Sequence, residues 1–108
     1  MLEKKYVYSL TNEKIIERIV DDENIHLNHM VLTQGTGLPE HYSNSNVYMV
    51  VVRGTMTLQL NEENPHQYAK GDIINIPYNT KMNVNNQYEE VLEFFVVKSP
   101  NPKNYKEE

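Results

Sequence analysis

Polar and apolar residues alternate strictly over Thr55–Leu60, where Met56, Leu58 and Leu60 occupy every second position. A period of two places these three side chains on one face of an extended chain. The segment therefore predicts a β-strand with one buried face and one face turned towards solvent.

A second pattern is found in Val47–Val52, which is apolar at every position. Both faces of such a strand must be covered, one by the core and the other by a second sheet or a second subunit. The run predicts a homodimer, in which the N-terminal segment Tyr6-Val7-Tyr8 is a further candidate for contact.

Turn-forming residues punctuate the remaining apolar segments, at Asn61–Pro65, Gly71-Asp72 and Pro77–Asn79. Short strands separated by regular turn signals are typical of an all-β sandwich or barrel. Besides the two segments above, strands are predicted over 25–32, 73–76 and 91–97.

The segment 15–20 fits two patterns, because its isoleucines satisfy both a helical face and the alternation of a strand. We favour a strand. No repeat or linker divides the chain, so we expect one domain over 1–108, with residues 1–10 available for a dimer contact and 101–108 forming a polar tail.

Composition excludes several classes of function. The 108 residues carry a formal net charge of −5 and no cysteine, so a phosphate-binding basic face, a disulfide framework and a thiol nucleophile are not expected. The longest apolar run is too short to cross a bilayer. We therefore expect a cytoplasmic protein with neither a nucleic-acid nor a membrane partner.

Two stretches of the chain carry spaced glycine, proline and polar positions. Gly35 is followed after five residues by His41, and Gly54 closes this first stretch. The second stretch begins with Gly71 and Pro77 and ends at Asn86. These spacings resemble the two conserved motifs of the cupin family, G-x5-H-x-H-x3-4-E-x6-G and G-x5-P-x-G-x2-H-x3-N. The resemblance implies a double-stranded β-helix, a jelly-roll-like barrel, and commonly a dimer.

In the family, four side chains of these motifs converge on a divalent metal ion. The corresponding positions here are His41, Ser43, Val47 and Met82. Neutral serine is a poor ligand for first-row metals, valine offers no donor atom, and thioether suits chiefly copper(I). A catalytic metal needs about three protein ligands, so we expect no metal cofactor at this place. Asn79 replaces the middle glycine of the second motif, and asparagine tolerates the left-handed backbone that glycine would adopt.

With its ligands lost, the interior of the expected barrel is mostly apolar. An apolar cavity with a few polar groups is typical of a small-molecule site, although side chains alone can also fill a barrel of this size. The resemblance implies a ligand pocket lined by His41, Ser43, Val47, Met49, Met82 and Val84.

Two further residues are candidates for chemistry with His41. His29 could join it in an unorthodox metal site, but the strand 25–32 allows either Leu27, His29 and Val31 or the alternate set to face inward. Glu93 interrupts an apolar strand. If it faced the barrel it would form an acid–base pair with His41; on an outer face it would be structural, which we consider twice as frequent for a carboxylate.

Three functions follow from these residues. The first is metal-independent binding of a small organic molecule. The second is an enzyme, either a metal-dependent dioxygenase using His41 with His29 or a metal-free isomerase or epimerase using His41 with Glu93. The third is a structural or interaction module. No residue identifies a substrate, because one fold can host many activities.

Overall fold

The structure, a computed structural model, describes residues 1–105, in which the regular secondary structure is almost entirely antiparallel β-strand. The segment 15–20 is a strand, as favoured above. Within the described residues there are nine strands and a short 3-10 helix: β1 (Ile15–Asp21), β2 (His26–Leu32), β3 (His41–Tyr42), β4 (Val47–Arg53), β5 (Thr55–Leu60), β6 (His66–Ala69), β7 (Ile73–Ile76), β8 (Lys81–Asn85), β9 (Leu92–Lys98) and the helix Pro102–Asn104.

The strands form two sheets that enclose one core. The larger sheet has the order β1-β2-β9-β4-β7 and the smaller sheet the order β3-β8-β5-β6. β9, the last strand of the chain, lies between β2 and β4 in the middle of the larger sheet. This arrangement confirms the all-β sandwich or barrel predicted from the turn signals and the jelly-roll-like barrel that the family resemblance implies.

The core lies between the sheets and is made by alternate residues of each strand. On β4 the inward set is Val47, Met49 and Val51, and on β5 Met56 and Leu58 are buried as the alternation predicts. The other large core side chains are Leu32, Ile76, Met82, Leu92 and Phe94.

The orientation of β2, which periodicity left open, is settled by its burial and neighbours. Asn28 and Met30 line the inside of the barrel, whereas His29 lies on the opposite face of the sheet. Because alternate residues share a face, His26 falls on the inward set.

Two turns depend on left-handed backbone. Gly54 has φ 79°, and a Cβ at this position would approach the carbonyl oxygen of Val91 to 2.3 Å. Asn79 has φ 61°, which confirms that asparagine takes the left-handed conformation expected of the glycine it replaces.

Residues 1–14, which form no strand, cross the outer face of the larger sheet. Tyr8 packs on His29 and Phe95 there, with ring centroids 4.6 and 5.0 Å away. Farther along the same face, the apolar side chains of β4 and β7 are only partly covered: Ile73 is 68% exposed, and Tyr48 and Val52 are also exposed. The second covered face predicted for β4 is thus incomplete in the single chain.

The segment 101–108 was expected to be a polar tail, but its first residue is anchored to the barrel. Asn101 is buried, and its amide donates hydrogen bonds to Asp21, Asp22 and Ile25. Residues 106–108 lie outside the described residues. No helix in the described part of the chain is long and apolar enough to cross a membrane.

Candidate functional site

A cavity of about 40 Å³ opens at one end of the barrel, between the inner faces of the two sheets. Five of the six residues expected to line a pocket do so, and Val84 is buried in the core without lining the cavity. The lining consists of Asn28, Met30, Leu38, His41, Ser43, Val47, Met49, Met82, Val96 and Lys98.

Ser43, at a metal-ligand position of the family, uses its hydroxyl to hold a turn. The Oγ donates to the carbonyl oxygen of Pro77 at 2.6 Å and accepts from the backbone N–H of Thr80 at 2.8 Å. Ser43 is buried, so both bonds are shielded from water. The hydroxyl therefore stabilises the turn that closes this end of the barrel.

His41 lies at the rim of the cavity and is exposed on its outer side. Its Nδ1 is 2.9 Å from the carbonyl oxygen of Pro39. Because a carbonyl can only accept, Nδ1 carries the proton, and Nε2 is left to serve a ligand.

The donor set at this place does not fit a divalent metal ion. His41 supplies one nitrogen, Ser43 has its hydroxyl engaged in the turn, and Val47 and Met82 contribute apolar walls. Over the described residues, no three His, Cys, Asp or Glu side chains come together to hold a metal. These four side chains therefore do not form a metal site.

Lys98 is the charged residue of the cavity, and sequence reasoning missed it. It follows Phe94 and Val96 on the inward-facing positions of β9, and its neighbours across the sheet are His26 on β2 and Val47 on β4. Burial lowers the pKa of Lys98, and the nearby charge of Arg18 lowers it further. The signal was present as a lysine two residues beyond an inward-facing valine.

His26 stands beside Lys98 in a similar state. Burial lowers its pKa, as do the charges of Lys98 and Arg18. Its Nε2 is buried and has no hydrogen-bond partner among the described residues. The ring of His26 beside Lys98 thus holds a buried polar atom that no described protein group satisfies, although His26 does not itself line the cavity.

On the outer face of the same sheet, His29 is completely buried between two carboxylates. Its Nδ1 lies 2.7 Å from Glu17 Oε2, and its Nε2 lies 2.6 Å from Glu93 Oε2. A neutral imidazole donates from only one nitrogen, while an ionised carboxylate only accepts. The two contacts therefore require one proton beyond those of a neutral ring and two ionised carboxylates, so the three side chains share their protons as one unit.

Arg53 places a positive charge beside Glu93 and connects this cluster to the N-terminal segment. Its Nε is 3.2 Å from Glu93 Oε1, and its Nη atoms donate to Asn12 Oδ1 at 2.5 Å and to the carbonyl oxygen of Thr11 at 2.9 Å. We call the group Ser9, Asn12, Glu17, His29, Arg53 and Glu93 the outer network.

At its other end the outer network is held by Ser9. The backbone N–H and the hydroxyl of Ser9 donate to Glu17 at 2.8 and 2.9 Å. The backbone N–H of Ser9 is the main cause of a pKa of Glu17 below its ordinary value, and the contact with His29 contributes. The N-terminal segment is consequently tied to the barrel on both sides of the buried histidine.

These positions separate the residues that were expected to act together. Glu93 and His29 belong to the outer network, whereas His41 lies at the cavity rim. The acid–base pair of His41 with Glu93 and the metal pair of His41 with His29 are not assembled, because single-residue steps along β2 and β9 turn the two partners to the outer face. Glu93 has the structural role considered above.

A larger groove of about 460 Å³ lies outside the barrel, beside the outer network. It is lined by Leu10, Thr11, Asn12, Arg53 and Glu93. Arg53 is paired with Glu93 and donates to Asn12 and Thr11, although its buried Nε makes no hydrogen bond among the described residues. The barrel cavity, which lies between the two sheets and is lined by mostly apolar side chains with His41 and Lys98, is the better candidate site.

Comparison with known families matches residues 28–98 to the cupin domain. The uncharacterized protein MJ0764 of Methanocaldococcus jannaschii is 43% identical over 104 residues, which cover 95% of this chain and 90% of that protein.

Solved structures give the same result. The crystal structure of the same Methanocaldococcus jannaschii protein, described as an RmlC-like cupin family protein with a double-stranded β-helix fold, matches with a TM-score of 0.92 at 43% identity over 95% of both chains. A cupin-like protein of Thermotoga maritima matches with a TM-score of 0.74 at 20% identity, covering 79% of this chain and 67% of its own, and this second likeness concerns the fold alone.

Proposed function

Because the chain belongs to the cupin domain family, we propose that its barrel binds a small organic molecule without the metal ion that family members commonly hold. The observation that carries this proposal is the cavity between the sheets, which combines apolar walls with a few polar side chains. Met49 and Met82 supply much of the wall, and His41 and Lys98 are among the polar residues of the lining. Such a lining is typical of small-molecule sites.

The size of the cavity limits the ligand. A single water molecule needs about 10–15 Å³ of such space, and drug-sized ligands occupy pockets of about 300 Å³ or more. At about 40 Å³, the cavity suits a compound of a few non-hydrogen atoms. We place the protein in the cytoplasm, where small metabolites of this size are abundant.

The proposal is tested by closing the cavity. Met82→Phe adds volume to its wall, and Val84→Ile adds a methylene on the same strand at a buried residue that does not line the cavity. Protein dialysed against a chelator is screened with charged and neutral compounds of about six or fewer non-hydrogen atoms, and the melting temperature is recorded. A ligand that binds the native state raises it.

We expect at least one compound to stabilise the wild type and Val84→Ile, and not Met82→Phe. Equal responses of wild type and Met82→Phe would place binding elsewhere, and no response to any compound would contradict small-molecule binding. Elemental analysis of the dialysed protein accompanies the screen. Near-stoichiometric transition metal would contradict the metal-free part of the proposal.

The same protein is proposed to be a homodimer, formed through the outer face of its larger sheet. Ile73, Tyr48 and Val52 are exposed on this face, and contiguous exposed apolar side chains mark interaction surfaces in proteins of this size. The N-terminal segment adds Tyr6 and Val7, which are also exposed. A second copy of the chain would supply the cover that the doubly apolar β4 lacks.

Light scattering with size-exclusion chromatography measures the mass directly. We expect the dimer mass for the wild type and the monomer mass for a Tyr48→Glu, Ile73→Glu double variant, because isolated charges are excluded from an apolar interface. A control with charges in the opposite sheet, Gln59→Glu, leaves the mass unchanged. A monomeric wild type at micromolar concentration would contradict the dimer.

A further inference from the structure

The ammonium group of Lys98 is the unusual feature of the cavity. It is half-buried at the mouth of the barrel, and among the described residues it has neither an ion pair nor a side-chain hydrogen bond. Lysine is seldom buried without a partner, because removing an ammonium from water costs free energy that only a counter-charge or hydrogen bonds offset. No group of the described residues therefore neutralises this ammonium.

The charges around Lys98 do not supply that partner. Arg18 on β1 repels it, and its neighbour His26 on β2 has a neutral ring. Asp21 pairs with His26 across β1 and β2, and its carboxylate is already engaged by Arg18 at 3.3 Å and by the amide of Asn101 at 2.6 Å. The rim of the cavity is consequently short of negative charge.

The rest of the cavity shows the same bias. None of its ten lining residues is acidic, although the chain as a whole has fifteen Asp and Glu against ten Lys and Arg. The cavity thus has one lysine cation, Lys98, and no acidic residue in its lining to neutralise it.

We propose that the small molecule bound in the barrel is a carboxylate, held by the ammonium of Lys98. The apolar walls around Met30, Met49 and Met82 would take the short hydrocarbon part of the same compound. This inference rests on the proposed function, since it names the chemical class of the ligand at that site. A charge-assisted hydrogen bond is about twice as strong as a neutral one, so the carboxylate would be selected over an uncharged molecule of the same shape.

The NMR signals of the methionine methyl groups measure binding in the cavity. Three of the five methionines, Met30, Met49 and Met82, line the cavity, whereas Met56 is buried outside it and Met1 is exposed. Protein labelled with ¹³C at the methionine methyl is titrated at constant ionic strength with acetate and with acetamide, which match in shape and differ in charge. Inorganic phosphate is the third probe.

We expect acetate to shift the three cavity methyl signals saturably and to leave the Met56 signal in place. Acetamide and phosphate should each bind the wild type at least about tenfold more weakly than acetate does. Acetate should bind Lys98→Met at least about tenfold more weakly than it binds the wild type, because a charged hydrogen bond is lost. Lys70→Met removes the same charge from an exposed turn outside the barrel and should bind acetate like the wild type.

The contrary results are distinct. Equal affinity for acetate and acetamide, or for acetate in wild type and Lys98→Met, would overturn the carboxylate assignment and leave small-molecule binding standing. Tighter binding of phosphate than of acetate, lost in Lys98→Met, would also overturn it in favour of an inorganic anion. Cavity signals that respond to none of the three probes would overturn it too; if the compound screen also finds no ligand, the proposed function fails with it.

Discussion

On the outer face of the larger sheet His29 contacts a carboxylate through each ring nitrogen, whereas at the inner mouth Lys98 has no acidic partner and His26 has an unused nitrogen. Both groups lie on the same pair of strands, β2 and β9, turned to opposite faces. Charges on the outer face satisfy one another and stabilise the fold. Those at the inner mouth are left available, which is what a binding site requires.

The largest effect on the free energy of unfolding is expected when His29, the centre of the outer network, is replaced. His29→Ala leaves Glu17 and Glu93 in place without the group between them, and loss of one partner of a buried charged cluster costs about 3–5 kcal/mol. Urea denaturation measures the free energy of unfolding. His66→Ala, at an exposed histidine, serves as the control and should change it by less than about 0.5 kcal/mol; an equally small loss in His29→Ala would mean that the outer network contributes little.

A smaller effect concerns acid stability through Glu17. Its pKa in the folded protein lies below the ordinary value of 4.5, so its contribution is fully present above that value and is lost as the pH falls through the folded pKa. Glu17→Gln should lower the free energy of unfolding at neutral pH by about 1 kcal/mol and flatten its decline in acid. Denaturation curves between pH 7 and pH 3, with exposed Glu63→Gln as control, check this; a decline as steep as in the wild type would assign the acid sensitivity to other carboxyls.

The inner mouth should respond in the opposite sense. Since the pKa of Lys98 is lowered, its charged form destabilises the folded state below the folded pKa, and the cost is relieved as the pH rises towards the unfolded value. Lys98→Met should therefore raise the free energy of unfolding without ligand, by about 0.5–1 kcal/mol. Thermal denaturation beside Lys70→Met measures the difference, and a loss of stability would show that Lys98 already has a partner.

The smallest effect is expected at His41. Its ring is exposed and makes one hydrogen bond to the backbone, so His41→Ala should change the free energy of unfolding by no more than about 0.5 kcal/mol. Ligand affinity should fall, because His41 lies at the rim of the cavity. Parallel urea denaturation and ligand titration separate these quantities; a large loss of stability would make His41 part of the framework.

Strands and barrel could be predicted from the sequence because alternation, turn residues and motif spacing are local properties. Thr55–Leu60 shows its buried face in its own residues, and Asn79 its backbone conformation in its own residue type. The position of five pocket residues followed from the family resemblance in the same way.

The partners of each side chain could not be predicted, because they depend on register between strands distant in the chain. Glu17, His29 and Glu93 meet only once β1 has paired with β2 and β2 with β9. Along β2, both alternate sets contain polar and apolar residues, so periodicity gave no preference for the face. A conspicuous glutamate in an apolar strand was therefore recognised, and its histidine partner was not.

The place of β9 also bears on how the chain is made. Its flanking strands β2 and β4 are synthesised earlier and can pair with β1 and β7, but each lacks its second hydrogen-bonding neighbour until residues 92–98 have emerged, because β9 completes the middle of the sheet. Unpaired strand edges are prone to pair with other chains. The edges of β2 and β4 are therefore exposed to other polypeptides until residues 92–98 have been synthesised, so the yield in cells should depend on chaperones.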